Sequence, residues 1–562
     1  MSQPSVLGRK WQILNSDPTL SILEKLLANR GVGDVDSQAT YLNPELSKLH
    51  DPFLMDGMKG AVKHLQQAIK NNHRIIIFGD YDVDGVTGTA ILVLGLLELG
   101  ANVSYRLPSR TEDGYGLNNK IIDEMKSVDT KLLITVDTGI SCAEQIKYAR
   151  EQGIDVIITD HHSIPDDIPD ANFILHPKLD HSGYPFPDLT GAGVAFKLIQ
   201  AMFKEHFSVS ELDAKLKKYI DLATLGTIAD LGPLKGENRV IVKEGLKQMQ
   251  NSYWDGLMHL LEVCNVDPAN PIESTHVGFR IAPRINAAGR LDSPYYALKL
   301  FLTDGDTSKK FAHKLEKINK ERQRLTEEIL QEAETIANKQ LKKEKIIIAY
   351  HPDWKSGLVG IIAGRLSSNY SMPVIIMEER NDTYIGSARG PEYFNLVEAL
   401  KNCDKYLENY GGHVQAAGFT LPKANLNQFV HSMQVYAKSE LAQTDTEPVL
   451  EIDTEIGYQQ INQNLLDQIE KLSPFGHKNA RPLFLIKGVY LKDLKKVGAD
   501  RSHLLGNILV DQTEYNFIGF KMADKVKNLQ EFERFDVAFH VGTNTYKGVT
   551  KIQLQLIDLK RP

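Results

Sequence analysis

The sequence has few cysteines, no excess of basic charge and no long hydrophobic run. It contains 3 Cys in 562 residues, and the wide spacing of Cys142, Cys264 and Cys403 fits neither a disulfide framework nor a zinc site, which favours a reducing compartment. Lys plus Arg (65) falls short of Asp plus Glu (72), giving a net charge of −7. This balance excludes a globally basic nucleic-acid-binding protein but not a local basic groove.

Membrane and export signals are also missing. The most apolar helical run, 90–101, is interrupted by Glu98 and is too short to cross a bilayer. The first 14 residues lack the apolar core of a signal peptide. We therefore expect a cytoplasmic protein without a membrane segment.

Short β-branched runs alternate with helical stretches from residue 74 onward. The runs cover 74–78, 103–107, 131–136, 154–159 and 173–175, with a helical stretch at 86–99. This rhythm predicts a parallel sheet with crossover helices. In such sheets ligands bind at the carboxyl ends of the strands.

The sequence pattern changes twice after the first α/β region, which predicts further structural units. Residues 306–340 contain neither Gly nor Pro and repeat apolar residues at helical spacing, which predicts one long helix. Strand-like and helical runs after it predict a second α/β unit, and short alternating runs from 449 predict a small β-barrel or sandwich. The expected domains are an N-terminal helical segment (1–70), a first α/β domain (71–303), a connector helix (304–342), a second α/β domain (343–445) and a C-terminal β domain (446–562).

The strongest chemical signal is the acidic loop 79–85. Asp80, Asp82 and Asp84 stand at alternate positions directly after a buried strand candidate, a density of carboxylates that predicts a cation site. An EF-hand is rejected because a strand precedes the loop and its twelfth position is Ile91 rather than Glu. Neither a G-x-G-x-x-G fingerprint nor a Walker lysine is present at this turn. The alternative interpretation is a solvated acidic turn.

Other apolar segments also end in acids. Asp137 and the triplet Asp160-His161-His162 follow strand candidates, and Asp230 closes a further apolar segment. One such aspartate alone could be a helix cap, and for Asp221 a buried scaffold contact is the favoured interpretation. Carboxylates with one or two imidazoles suit Mn²⁺ or Mg²⁺. Two ions bridged by one carboxylate would support phosphoester hydrolysis.

These residues resemble a known family, the DHH phosphoesterases, whose triplet stands here at 160–162. The match is closer to the RecJ family of bacterial single-stranded-DNA-specific exonucleases within that superfamily. It rests on segments 80–85, 184–187, 190–195, 282–290, 411–418 and 472–476. The resemblance implies an α/β fold with a DHH domain, a DHH-associated domain and an OB-like barrel.

The resemblance also implies an activity and a set of site residues. The activity is Mn²⁺- or Mg²⁺-dependent hydrolysis of single-stranded DNA from the 5′ end, releasing mononucleotides, in DNA repair and recombination. A helicase and a single-strand-binding protein are candidate partners, and a monomer is expected. The implied metal ligands are Asp82, Asp84, Asp137, His161 and Asp230, with Asp137 bridging and Asp80 supporting the first site. His162 is expected to face the scissile phosphate.

Further candidates would contact the substrate. Arg284, Asn286 and Arg290 supply donors for phosphate or a base, and buried ion pairs are the alternative for the arginines. The family commonly has a histidine where Lys355 stands, and Lys355 is a candidate for a phosphate contact. The other candidates are Arg389, the loop residues Gly411, Gly412 and His413, and the barrel residues Tyr490, Lys495, Lys496 and Tyr546. Plain turns and solvated lysines are their alternatives.

Two competing functions stay open at this point. A DHH phosphoesterase acting on short oligonucleotides or cyclic dinucleotides usually lacks a C-terminal barrel, whose expected presence argues against it. A non-catalytic single-strand-binding replication scaffold has no reason to keep the full set of acids. Because the barrel contains no candidate metal ligand, we expect truncation near residue 448 to reduce DNA affinity while leaving an active nuclease.

Overall fold

The computed structural model describes residues 5–109, 116–442, 447–526, 533–546 and 548–562, whose strands form four sheets. In this part of the chain, every helix is too short or too polar to cross a membrane.

The first 70 residues were expected to form one helical segment, and the structure divides them. They contain β1 (Lys10–Ile13), α1 (Ile22–Asn29), α2 (Val35–Leu42) and α3 (Met58–Lys70). A capping box between Ser21 and Glu24 starts α1. Leu26 and Leu27 of α1 pack in the core of the C-terminal barrel, whereas Leu65 of α3 packs in the core of the parallel sheet. The segment therefore belongs to two cores.

The first α/β unit contains the predicted parallel sheet. Its elements are β2 (Arg74–Gly79), α4 (Val83–Glu98), β3 (Val103–Arg106), α5 (Asn119–Ser127), β4 (Thr130–Val136), α6 (Ala143–Glu151), β5 (Asp155–Thr159) and β6 (Phe173–Leu175). The strand order is β3-β2-β4-β5-β6, and all pairings are parallel. Helices cover both faces, so β2 and β4 are almost entirely buried.

A helical layer completes this unit. It consists of α7 (Gly191–His206), α8 (Val209–Ala229), α9 (Gly236–Gln248), α10 (Asp255–Val263), α11 (Ser274–His276), α12 (Ala282–Leu291) and α13 (Tyr295–Leu302). A π-helical turn, Val277–Ile281, joins α11 to α12. Since α4 packs against both α7 and α8, it is buried on nearly all sides.

The predicted connector is α14 (Gly305–Gln340), 36 residues long and therefore about 54 Å. Its first half buries Ala312 and Leu315 in the core of the first unit, and its second half buries Ile329 and Ala333 in that of the second. The second unit contains β7 (Ile347–His351), α15 (Ser356–Tyr370), β8 (Val374–Arg380), β9 (Thr383–Arg389), α16 (Leu396–Lys401), β10 (Asn409–His413), β11 (Ala416–Pro422) and α17 (Leu426–Glu440). Its sheet order is β10-β11-β9-β8-β7.

The C-terminal region is a closed barrel. It comprises β12 (Val449–Ile452), β13 (Thr454–Glu455), α18 (Gln463–Lys471), β14 (Phe484–Val497), β15 (His503–Val510), β16 (Thr513–Gly519), β17 (Arg534–Tyr546) and β18 (Val549–Lys560). Strands β14, β15, β16, β18 and β17 follow one another, and a β14–β17 pairing closes the ring. The predicted fold class is confirmed: two α/β lobes joined by a long helix, with an OB-like barrel.

The barrel is fixed to the first α/β unit by a buried arginine. Arg239 of α9 is 1% exposed, and its guanidinium donates hydrogen bonds to the carbonyls of Leu472 and Ser473 at 3.0 and 2.8 Å. The same guanidinium stacks on the ring of Tyr41 at 4.0 Å. The segment leading into the barrel is therefore packed against the first α/β unit.

Candidate metal centre

Three strand ends and one helix end bring acids and histidines together. Asp80 follows β2, Asp137 follows β4, the triplet 160–162 follows β5, and Asp230 ends α8. Potential ligand atoms form three overlapping groups, each with all atoms within 4.8 Å of one another. The groups are Asp80, Asp82 and Asp137; Asp84, His161 and Asp230; and Asp137, His161 and His162.

Asp84 is held at the N-terminus of α7. Its carboxylate accepts hydrogen bonds from the backbone N–H groups of Gly191 (2.6 Å) and Ala192 (2.9 Å) and from the Thr190 hydroxyl (3.0 Å). The positive end of the α7 dipole favours a carboxylate there. Asp84 is 1% exposed, so its position in the first turn of α4 is fixed.

Asp137 has a left-handed backbone. Its φ is +59°, which costs free energy for any residue with a side chain and is often found at functional sites. Gly191 permits the close approach of α7, because a Cβ there would lie 2.5 Å from the Cβ of Asp137. The Asp137 carboxylate lies 3.0 Å from Nε2 of His161. Asp137 is thus at the centre of the cluster, as expected for a shared ligand.

The two adjacent histidines have opposite electrostatic environments. Burial and the neighbouring His162 lower the pKa of His161 to about 3, so His161 is neutral and can offer a lone pair. Burial alone would lower the pKa of His162, but its 2.7 Å hydrogen bond to Asp160 and the nearby carboxylates raise it to about 9. The raised pKa favours the charged form of His162, which suits a contact with a phosphate.

Asp160 supports the two histidines, a role that the sequence did not indicate. It accepts hydrogen bonds from the backbone N–H groups of Ile140 (3.0 Å), His161 and His162. Burial would raise the pKa of Asp160, but the hydrogen bond and charge of His162 lower it to about 2. Asp160 therefore holds His162 in its charged form.

The carboxylates of the cluster repel one another. Burial and the charge of Asp82 raise the pKa of Asp84 to about 7, and burial with several neighbouring acids holds the pKa of Asp137 well above its usual range. Burial and two acids raise the pKa of Asp230 to about 8. Carboxylate oxygens of Asp84, Asp137 and Asp230 lie 3.7, 3.0 and 3.6 Å from Nε2 of His161. This negative donor set fits divalent cations that prefer oxygen and imidazole ligands.

The loop that carries Asp230 is tied to the barrel. After Asp230, Leu231 adopts a left-handed conformation with φ +56°, and its carbonyl accepts a hydrogen bond from Nδ1 of His477 at 2.5 Å. The N–H of Leu234 donates to the His477 carbonyl at 2.9 Å. His477, which sequence reasoning did not single out, thus connects the barrel segment to a metal-ligand candidate.

A cationic cavity of about 650 Å³ adjoins the acidic loop. Arg290 and Lys355 line it, as do Arg106 and Arg380, which the sequence did not suggest. Arg290 also donates to the Gly357 carbonyl at 3.1 Å. Helix α12 links the cavity to the cluster, since Asn286 accepts a hydrogen bond from the Val83 N–H at 3.3 Å. Nearer the cavity, Gly289 of α12 packs closely against the acidic loop, because a Cβ at this position would lie only 2.8 Å from the Tyr81 carbonyl.

The other residues predicted to contact the substrate lie away from the acidic cluster and the cationic cavity. Arg284 pairs with Glu316 of α14 at 2.6 Å, which is the structural alternative that the sequence left open. Arg389 donates to the hydroxyl of Ser387 at 2.9 Å and approaches α15 near Gly360. Gly411, Gly412 and His413 are exposed on β10, the edge strand of the second sheet. The structure does not bring these residues into the acidic cluster.

The barrel candidates lie mainly on β14. Tyr490 is 41% exposed, Lys495 is exposed, and Lys496 pairs with Asp524 at 2.7 Å. Tyr546 ends β17, but its side chain lies outside the described residues. Their contacts with DNA stay predictions.

Three family models match the chain. They are "DHH family, N-terminal domain" over residues 74–227, "DHHA1 domain" over 343–439 and "RecJ OB domain" over 452–558. Curated relatives match almost the whole chain. The single-stranded-DNA-specific exonuclease RecJ of Bacillus subtilis (strain 168) is 35% identical over 540 residues, 96% of this chain and 67% of the relative. The single-stranded-DNA-specific exonuclease RecJ of Thermus thermophilus is 33% identical over an alignment that covers 98% of this chain and 79% of the relative.

A solved structure is similar throughout. The crystal structure of RecJ in complex with Mn²⁺ from Thermus thermophilus has a TM-score of 0.81 at 30% identity, covering 98% of this chain and 80% of that one. A second structure of that protein contains Mg²⁺. These are the two ions predicted from the residues.

Proposed function

Because this chain belongs to the RecJ family of single-stranded-DNA-specific exonucleases, we propose that it hydrolyses single-stranded DNA from the 5′ end with Mn²⁺ or Mg²⁺. The observation that carries the proposal is the buried cluster of Asp84, Asp137 and His161 with its neighbouring acids at the carboxyl edge of the parallel sheet. The three family-model regions and the bound metals of the relative support it.

The residues would hold two ions. Asp80, Asp82 and Asp137 would hold one, and Asp84, His161 and Asp230 the other, with Asp137 close enough to His161 to serve both. Bound divalent cations supply a lowered pKa for attacking water and stabilisation of negative charge on a phosphoryl group. The neutral state of His161 leaves its nitrogen available as a ligand, and the α7 N-terminus keeps Asp84 in place.

The protein's own groups orient and neutralise the phosphate. His162, kept protonated by Asp160, would donate a charge-assisted hydrogen bond to the scissile phosphate as negative charge develops on it. Asn286 would position the acidic loop through its hydrogen bond with Val83. Hydrolysis would release one 5′-mononucleotide at a time.

The cationic cavity accounts for the proposed polarity. Arg106, Arg290, Lys355 and Arg380 outnumber the two acids that line the cavity, Asp292 and Glu378. The cavity adjoins the acidic loop through Gly289, so a terminal phosphate bound in it would place the next phosphodiester near the cluster. We expect a 5′-phosphate to be preferred over a 5′-hydroxyl.

The experiment compares 5′-phosphorylated and 5′-hydroxyl single strands with wild type, Lys355→Ala and the control Lys401→Ala, an exposed lysine on α16. Lys355→Ala is expected to weaken the phosphate preference, and Lys401→Ala to leave it intact. Asp137→Asn should abolish hydrolysis of both strands. Hydrolysis by Asp137→Asn at the wild-type rate, or with EDTA present, would contradict the proposed chemistry.

The division into domains at 303/304, 342/343 and 445/446 is proposed for the units described above, whereas residues 1–70 are shared between the barrel core and the parallel-sheet core. A cytoplasmic location, a monomeric state and cooperation with a helicase and a single-strand-binding protein are proposals on the same family basis. Since the activity needs single strands, a helicase would supply the substrate. Sedimentation of the pure protein and co-purification from cells would test the last two.

A further inference from the structure

An apolar groove lies along the first half of α12, the helix whose last turn lines the cationic cavity. The groove has a volume of about 280 Å³, and Leu231, Leu234, Phe279, Ala282, Asn286 and Phe475 are among its lining residues. Two of its large apolar side chains face solvent: Phe279 is 82% exposed and Leu231 is 66% exposed. Exposed bulky residues around one concave surface are typical of a binding site.

The backbone at both exposed residues is unusual. Leu231 is the second residue after the end of α8 and has φ +56°, the position of a helix-ending motif that glycine normally occupies. The N–H of Gly232 donates to the Thr227 carbonyl at 2.9 Å, which completes that motif. Phe279 lies in the π-helical turn Val277–Ile281, a local conformation enriched at functional sites. Leu231 and Phe279 therefore each combine an unusual backbone conformation with an exposed apolar side chain, and neither feature is expected to stabilise the fold.

Helix α12 connects the groove to the acidic loop and to the cationic cavity. Ala282 and Asn286 of its first half line the groove, and Gly289 and Arg290 of its last turn line the cationic cavity. Asn286, which lines the groove, also accepts a hydrogen bond from the Val83 N–H of the acidic loop. The ten residues of α12 span about 15 Å. A strand with its 5′ end in the cavity would therefore cross the metal centre and then the groove.

The opposite wall of the groove belongs to the segment that leads into the barrel. Phe475 and His477 line it, and His477 is hydrogen-bonded to Leu231. The groove is thus continuous with the metal centre at Asp230 and with the barrel. Its apolar walls match the faces of unstacked nucleobases, which bind to aromatic and apolar side chains without sequence preference.

We propose that this groove binds nucleobases on the 3′ side of the scissile phosphate, with Phe279 and Leu231 as the stacking surfaces. The inference rests on the proposed function for the direction of the strand. It assigns a base-binding role to two residues that are neither metal-ligand candidates nor part of the cationic cavity.

The test measures affinity for a labelled, 5′-phosphorylated oligothymidylate by fluorescence anisotropy in EDTA, so that the strand is not degraded. The proteins are wild type, Phe279→Ala, Leu231→Gly and the control Tyr253→Ala, which removes an aromatic ring that is 60% exposed and does not line the groove. Glycine is favoured at φ +56°, so Leu231→Gly should fold at least as stably as wild type. Phe279→Ala and Leu231→Gly should each weaken binding, for Phe279→Ala by roughly 5- to 100-fold.

A second set of strands carries one abasic nucleotide at each successive position from the 5′ end. At one position or two adjacent ones, wild type should lose affinity while Phe279→Ala loses nothing further, because the same contact is removed twice. Multiplicative losses at every position, wild-type affinity of Phe279→Ala, or an equal loss in Tyr253→Ala would each overturn the groove assignment. Hydrolysis of the intact strand by wild type with Mn²⁺ is measured separately. Its absence would refute the proposed function without affecting the affinity result.

Discussion

Removing the divalent ions should make the stability of this protein strongly dependent on pH. The carboxyl of Asp84 has its pKa raised from 3.8 to about 7 by burial and Asp82, so the folded state binds its proton more tightly than the unfolded state does. For a raised carboxyl pKa, the free energy of unfolding falls as pH rises from 3.8 to about 7 and stays reduced above that.

The size of the effect follows from the shift. The pKa of Asp84 rises by about 3, and each pKa unit corresponds to about 1.4 kcal/mol. Ionising Asp84 in the metal-free fold therefore costs on the order of 4 kcal/mol. Asp137 and Asp230 are shifted in the same direction. Bound Mn²⁺ should remove this penalty, because it compensates the ionised carboxylates in the folded state alone.

Thermal melts from pH 5 to pH 8, in EDTA and in Mn²⁺, would measure this. In EDTA the midpoint should fall as pH rises, in Mn²⁺ it should fall much less, and Asp137→Asn should flatten the EDTA curve. Asp221→Asn is the matched control. Burial raises the pKa of Asp221 to about 7, but it bonds to Ser252 at 2.6 Å and lies outside the ligand groups.

Asp221→Asn should therefore remove the same amount of pH dependence with and without Mn²⁺. If the EDTA melts did not change with pH, or if Mn²⁺ stabilised Asp137→Asn as much as wild type, the electrostatic account of the cluster would be refuted.

The other predictions concern single residues. His162→Ala should bind Mn²⁺ with wild-type affinity in calorimetry but hydrolyse DNA about 100-fold more slowly. His161→Ala should lose the metal. Equal loss of Mn²⁺ affinity in the two variants would contradict this division of roles. Arg239→Ala leaves several buried carbonyls without their donor and should lower the free energy of unfolding by at least about 4 kcal/mol in denaturant titrations; a change near zero would refute its anchoring role. Glu98 is surrounded by Lys215, Lys218 and a tyrosine that lower its pKa to about 2 against the opposing effect of burial, so it stabilises the fold above pH 4.5 and loses this contribution as pH falls toward 2. Glu98→Gln should therefore make acid unfolding less steep, and an unchanged acid transition would contradict this.

Most of the fold was predictable because its signals are local. Buried parallel strands appear as short apolar runs, and the carboxyl-edge rule then places Asp80, Asp137 and the histidines together from sequence alone. The strand starting at Arg74 and the connector helix were located to within one or two residues. The acidic cluster was predictable because a divalent-cation site needs several carboxylates, and the sequence places them at the carboxyl edge of the sheet.

The missed features depend on contacts distant in sequence. The role of Arg239 in holding the barrel, the bond between His477 and Leu231, and the split of the N-terminal segment have no periodic signature. These contacts argue against a barrel that can be removed without affecting the first α/β unit. Truncation near residue 448 would remove the Lys471, Leu472 and Ser473 carbonyls that accept hydrogen bonds from Arg239, and His477, which bonds to Leu231 after Asp230. We therefore expect lost stability and activity, not merely weaker DNA binding.

The central claim is that this chain removes nucleotides from the 5′ end of single-stranded DNA by metal-dependent hydrolysis at the acidic cluster. The most direct test incubates 5′-labelled and 3′-labelled single strands, and the matching duplex, with Mn²⁺, Mg²⁺ or EDTA. The account predicts immediate release of a labelled mononucleotide from the 5′-labelled strand, a shortening ladder from the 3′-labelled strand, an intact duplex and no reaction in EDTA. Mononucleotide release from the 3′-labelled end first, or hydrolysis that persists in EDTA, would contradict it.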